Sequence, residues 1–258
     1  MDARAGRPAV RPPCNKLGHL ILRRRWLSRY HDYITKNLKA KVWLLTFASF
    51  VLIGVALFLS AGTIDYWQAW VYLGVTAATS GPLAHLFTKD PILLESRTKL
   101  GPGAETRTIQ KIVLWCAAIP GIAIFVVPGL DHRFGWSSVP VWLSIVGNLL
   151  ILISMVMVYQ VFKENSFGSA TIEVAENQRV ISTGPYAIVR NPMYSGAVLY
   201  FIGLSLGLGS YWGLIPGALM TACLVWRLFD EEKFLAQNLP GYTEYCAKVH
   251  WHLIPGVF

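Results

Sequence analysis

From Val42 to Ala61 the chain runs twenty residues without a charge (VWLLTFASFVLIGVALFLSA). A helix needs roughly 20 residues to cross a hydrocarbon core of about 30 Å, so this stretch predicts a membrane span. Five further apolar runs follow: Tyr66–Phe87, Ile112–Leu130, Val141–Phe162, Tyr194–Leu208 and Trp212–Phe229. The second is interrupted by Gly81-Pro82 and His85, and the third has a kink signal at Pro120-Gly121. The fifth is short and is joined to the sixth by Gly207-Leu208-Gly209-Ser210, which predicts a tight hairpin. The expected fold is an all-α polytopic transmembrane bundle of about six spans. The first four spans read as lipid-facing or bundle-packing helices. His85 is a polar residue at membrane depth, a candidate for function or for a hydrogen bond to a neighbouring helix.

Composition agrees with this pattern. Hydrophobic residues make up 54% of the 258 and charged residues 14%, against about 25% charged in soluble domains. Ten Trp, eleven Tyr and twelve Phe suit helices that meet lipid headgroups. The net charge of +9 sits at one end: residues 1–41 hold eleven Lys/Arg against Asp2 and Asp32, and the remainder is neutral. A basic arm before a span reads as a topology signal and a binder of anionic lipid. Nucleic acid is the rival partner for such a run, but no recognised nucleic-acid-binding fold accompanies it, and none is expected to bind. Between the first and second spans lies only Asp65, between the third and fourth Arg133 beside Asp131, and between the fifth and sixth no charge. The basic arm, the Lys89–Lys111 loop and the Lys163–Arg190 segment share the other side, so both termini are expected to be cytoplasmic. No short apolar run precedes residue 42, so no cleavable signal peptide is predicted. The chain divides into the arm (1–41), four spans (42–162) and a polar-rich C-terminal part (163–258).

Cys14, Cys116, Cys223 and Cys246 are far apart and read as free thiols. His250 and His252 alternate, but without carboxylate or cysteine company at ligand spacing, so no metal is expected. Gly207–Gly213 misses the dinucleotide-binding spacing, and no G-x-S-x-G or H-E-x-x-H occurs.

The chemistry concentrates after Phe162. Arg190-Asn191-Pro192-Met193-Tyr194 opens the fifth span with a good N-cap residue followed by proline at the first helical position. The free N–H groups and positive dipole end there suit a carboxylate or phosphate, and Arg190 can pair with the same anion. A capped helix with a snorkelling arginine would look the same. The sixth span ends in Trp226-Arg227-Leu228-Phe229-Asp230-Glu231-Glu232. Arg227 and Glu231, four apart, can pair with each other, while Glu232 lies on a different azimuth and is free for another partner. Three acids can equally be the solvated end of a helix. The tail, Leu239–Phe258, interleaves aromatic and polar residues, as a segment folding back on the membrane face would.

In their order and spacing, GPYAIVRNPMYSG (184–196), the apolar hairpin, DEEKFL (230–235) and PGYTEYCAKVHWHLIPGV (240–257) resemble the isoprenylcysteine carboxyl methyltransferase and phospholipid methyltransferase superfamily. The resemblance covers roughly residues 160–258. It implies S-adenosylmethionine held on the cytosolic side by the C-terminal helices and tail, and a substrate entering from the bilayer. It places Arg190, Asn191, Pro192 and Tyr194 in the family's Arg-His-Pro-x-Tyr-type motif, with Asn191 where the prenylcysteine enzymes have His. Glu231 and Glu232 fall on its paired Glu, Gly184 and Tyr186 in the approach turn, Tyr245 in the tail, and Arg227 near an arginine upstream of the Glu pair. It implies Arg227 and Glu232 as catalytic residues, with the others, and Glu232 again, binding the cofactor. An arginine suits the cofactor's carboxylate, the Glu pair its cationic part, and aromatics its adenine. A carboxylate or thiolate acceptor needs no base, whereas an amine must lose a proton, which Glu232 could take. The expected activity is methyl transfer to a hydrophobic or lipid-like carboxylate, amine or thiol. The alternatives are a non-catalytic lipid carrier or assembly factor on the same scaffold, and a transporter, for which internal repeats are expected and none is visible.

Overall fold

A computed structural model describes residues 16–89, 107–165 and 178–258, with side chains from Lys39 onward. Residues 1–15 of the basic arm, loop residues 90–106 and residues 166–177 lie outside the described residues. Contacts divide the chain into two units, residues 1–40 and residues 41–258. The first is helical from Lys16.

The described residues form helices and no strand: α1 (Lys16–Ala61), α2 (Trp67–Lys89), α3 (Thr108–Phe134), α4 (Val141–Glu164), a 3-10 turn (Gly184–Ala187), α5 (Pro192–Gly207), α6 (Leu214–Asn238) and α7 (Tyr242–Lys248). Each expected apolar run falls within one helix, to within two residues at its ends. Among the described residues, three segments are long and apolar enough to cross a membrane: Lys39–Ala61 of α1, then α3 and α4. At 16 residues, α5 is about 24 Å long, short of the ~30 Å core. In α2, apolar residues are diluted by Gln68, Thr76, Ser80 and His85. In α6, charges crowd the second half at Arg227, Asp230, Glu231, Glu232 and Lys233. Large side chains such as Phe47, Leu52 and Leu59 on α1, Trp115 and Ile119 on α3, and Trp142 and Ile153 on α4 are exposed. Rows of this kind are the surface that lipid covers.

Water-driven burial does not hold helices together inside lipid, so close packing of small residues and hydrogen bonds carry the association. The α4–α5 interface shows both. Gly147 on α4 lies against the backbone of Gly203 and Gly207 on α5, so close that a Cβ at Gly147 would sit 2.3 Å from the Gly207 nitrogen. Two turns further along, Ser154 Oγ donates to the Gly196 carbonyl at 2.7 Å. Around this seam Leu57, Tyr66, Ala69, Tyr72, Ile124, Ile151, Leu204 and Leu208 form one buried core drawn from α1 to α5 and their connections.

A polar clasp fixes the end of the bundle where α5 turns into α6. Gly209 there takes φ +73°, a region glycine enters without steric cost. Tyr66 donates its hydroxyl to the Leu208 carbonyl at 2.6 Å. Asp131, 1% exposed, accepts from Ser210 Oγ at 2.5 Å, from the Ser137 N–H at 2.7 Å and from Ser137 Oγ. The α3 terminus, the approach to α4 and the α5–α6 turn are thereby joined. With α6 tied at this end, its acidic other end is held against the start of α5.

Candidate active site

Three consecutive acids on a helix point about 100° apart, so they meet different neighbours. Asp230, Glu231 and Glu232 do so. Asp230 accepts from Arg107 Nη2 at 2.7 Å and Gln110 Nε2 at 2.5 Å, both from the start of α3, and Arg107 also lies over the Phe234 ring. Glu231 accepts from the Tyr194 hydroxyl at 2.5 Å, and that oxygen accepts from Arg227 Nε at 3.1 Å. The i,i+4 relation of Arg227 and Glu231 thus brackets Tyr194 of α5. Glu232 turns to Arg190, Asn191 and His252.

Glu232 is the hub. Asn191 Nδ2 donates to it at 2.7 Å, Arg190 Nη1 lies 3.4 Å away and His252 Nδ1 3.0 Å away. The side chains of Arg190 and Glu232 are 14% and 11% exposed. Asn191 was expected to cap α5 through its side chain. It makes no such bond, because its amide is committed to Glu232. Its carbonyl takes the Tyr194 and Ser195 N–H groups instead, and Pro192 opens the helix where no N–H is needed.

Arg190 also anchors the tail. Nε donates to the Val249 carbonyl at 2.6 Å and Nη2 to the Cys246 carbonyl at 3.2 Å. Backbone bonds run beside it, from Arg190 N–H to the Trp251 carbonyl and from Asn191 N–H to the His252 carbonyl. Ser195 Oγ donates to the Leu253 carbonyl at 2.6 Å. The expected fold-back of residues 239–258 is therefore a strap across the start of α5. Tyr245 closes it, donating to the Tyr186 carbonyl at 2.8 Å, while Asn165 at the end of α4 donates to the Tyr186 hydroxyl. Gly184 sits in the same turn at φ +57°, against Glu164, which accepts from Thr183 Oγ1.

Burial raises the Tyr245 phenol above its ordinary value of 10.0, and the neighbouring Tyr186 adds to the rise. Burial also raises Tyr242, reinforced by Glu232, and Cys246, where Arg190 opposes the rise. A phenol raised on folding favours the folded state fully below its unfolded value, and that contribution is lost as pH climbs through the folded one. Tyr245→Phe is expected to cost about 1 kcal/mol of thermal stability near neutrality. It should also flatten the loss of stability above pH 10, as read by melting curves across alkaline buffers.

All the residues singled out from the resemblance, Gly184, Tyr186, Arg190, Asn191, Pro192, Tyr194, Arg227, Glu231, Glu232 and Tyr245, lie in or next to this hydrogen-bonded cluster. His85 is exposed on α2 and contributes no contact to it. Sequence reasoning missed Arg107 and Gln110, which carry no local motif and meet Asp230 from more than a hundred positions away. It also assigned His252 no partner. Its spacing to His250 drew attention to metals, whereas the ring rests on Glu232 between Phe229 and Phe258. Among the described residues no group of three metal-ligating side chains occurs.

Residues 142–240 match the family model for phospholipid methyltransferases. This segment is similar to phospholipid methyltransferases. The match spans α4, the 3-10 turn, α5 and α6, and so includes Arg190, Asn191, Tyr194, Arg227 and the Glu pair. The family lies within the superfamily whose motifs the sequence resembles, a group of membrane methyltransferases that use S-adenosylmethionine. It stops short of the strap that carries Tyr245 and His252. No curated protein matches the chain.

Proposed function

We propose that the protein is an integral membrane methyltransferase, moving a methyl group from S-adenosylmethionine to a hydrophobic or lipid-like acceptor. The supporting observation is the convergence of Arg190, Asn191 and Glu232 within hydrogen-bond reach, inside the segment that matches the family. The chemistry of the side chains fits the cofactor. Arg190 and the start of α5 offer donors to its carboxylate. Glu231 and Glu232 offer negative charge to its ammonium and sulfonium, and Tyr186, Tyr245 and Phe229 offer rings to its adenine. When bound, the cofactor supplies a methyl group made electrophilic by a sulfonium. The protein's part is to hold two reactants in line, a task worth roughly 7–11 kcal/mol where the geometry is right. In the membrane, we place about six crossings, with the cluster and both termini on the cytosolic side.

The test is transfer of labelled methyl groups into a total lipid extract by the purified protein. Labelled product lost in Arg190→Ala is expected. A protein that labels nothing in any extract would instead be a non-catalytic membrane protein on this scaffold.

A further inference from the structure

His252 stands at the open side of the cluster with 25% of its side chain exposed, against 11% for Glu232. Its ring is held on three sides. Phe258 stacks on it at 5.1 Å, Phe229 meets it edge-on at 5.8 Å, and Nδ1 lies 3.0 Å from the Glu232 carboxylate. Asn191 Nδ2 and Arg190 Nη1 donate to the same carboxylate. An ionised carboxylate can only accept, so Nδ1 of a neutral His252 carries the proton and Nε2 presents its lone pair. No described residue takes up Nε2. A carboxylate that fixes the tautomer of an imidazole, leaving the other nitrogen bare, is the arrangement of a positioned general base.

Resting on the methyltransferase reading above, we propose that His252 Nε2 accepts a proton from the methyl acceptor, and that this acceptor therefore carries a removable N–H or S–H. The nucleophile's N–H or S–H proton passes to Nε2. Its nitrogen or sulfur forms the new bond to the methyl carbon, and the bond from that carbon to the sulfonium breaks, its electron pair leaving on sulfur as a neutral thioether. Arg190, Asn191 and Glu232 orient the ring. A carboxylate acceptor would bring no proton for Nε2 and would face the negative charge of Glu231 and Glu232.

The test uses full-length protein in phosphatidylcholine vesicles carrying octadecylamine, octadecanethiol or octadecanoate, with labelled S-adenosylmethionine. Calorimetric cofactor binding is followed in parallel. Wild type is expected to label the amine or the thiol. His252→Gln should bind the cofactor as wild type does but transfer about 100-fold more slowly or worse, and His252→Ala should regain rate with added imidazole. Independently of activity, the ¹⁵N spectrum of histidine-labelled protein, assigned by the His252→Gln difference, should show Nδ1 protonated and Nε2 bare. Four results overturn the proposal: labelling of octadecanoate in preference, a His252→Gln rate comparable to wild type, the opposite tautomer, or a cofactor-binding wild type that labels neither amine nor thiol. A wild type that does not bind the cofactor overturns the methyltransferase reading, and this proposal with it.

Discussion

Gly147→Ala is expected to disrupt the bundle, although the change adds one methyl group. The new Cβ would sit 2.3 Å from the Gly207 nitrogen and 2.8 Å from the Gly203 carbonyl oxygen. Both are backbone atoms, so no rotamer change relieves the overlap. Helices α4 and α5 would have to separate. That would break the Ser154–Gly196 bond and pull α5 away from the core residues Ile151, Leu204 and Leu208. Ordinary overpacking costs about 1–3 kcal/mol, and a backbone clash at a helix crossing should cost more. Purified Gly147→Ala should lose its single sharp peak on size exclusion and its cooperative melt. Gly74 supplies the control. It is an exposed helical glycine whose Cβ would meet nothing within 4 Å, so Gly74→Ala should be neutral or stabilise by roughly 0.5–1 kcal/mol. Equal effects at the two positions would contradict the packing account.

Arg190→Ala should release the tail. The side chain donates to the Val249 and Cys246 carbonyls and faces Glu232. Its loss leaves two carbonyls short of donors and a nearly buried carboxylate without its guanidinium. Removing one member of a buried pair costs about 3–5 kcal/mol, and here the penalty falls on the strap rather than on the α4–α5 seam. The expected result is a protein that still folds, with residues after Leu239 cut readily in limited proteolysis. Arg190→Lys should protect only in part, since an ammonium cannot reach three acceptors in the guanidinium's planar fork. A protease-resistant tail in Arg190→Ala would show that backbone pairing alone holds the strap.

Much of this was legible in the residues because it is local. A charge-free run of twenty residues can do little but cross lipid or form a core helix, and each expected apolar run lies in a helix to within two residues at its ends. The Arg190–Tyr194 and Arg227–Glu232 segments declared themselves because charge at the ends of apolar helices is costly unless it is used. Other features were hidden because they depend on pairing across the fold. Nothing near Asn191 indicates that its amide would leave the cap for Glu232, a partner 41 positions away. Asp131 looked like a loop acid beside Arg133, yet it is buried under two serines brought in from α4's approach and the α5–α6 turn. The number of crossings also depends on more than local hydropathy. Helices α2 and α6 carry polar residues that pack inward, such as Thr76, which is buried on α2 and donates to the Tyr72 carbonyl, and these lower their apolar content without excluding them from the bundle.

On the proposed function, the Arg190–Asn191–Glu232 cluster is a cofactor pocket and not merely a clasp for the tail. Calorimetric titration of S-adenosylmethionine into detergent-purified wild type and Glu232→Gln addresses it most directly, because glutamine keeps the size of the side chain and removes the charge. Saturable binding by wild type is expected, with binding at least about tenfold weaker in the variant, a loss of roughly 1.4 kcal/mol or more, and both proteins melting as folded bundles. Equal affinity in the two, or no binding by a folded wild type, would contradict it.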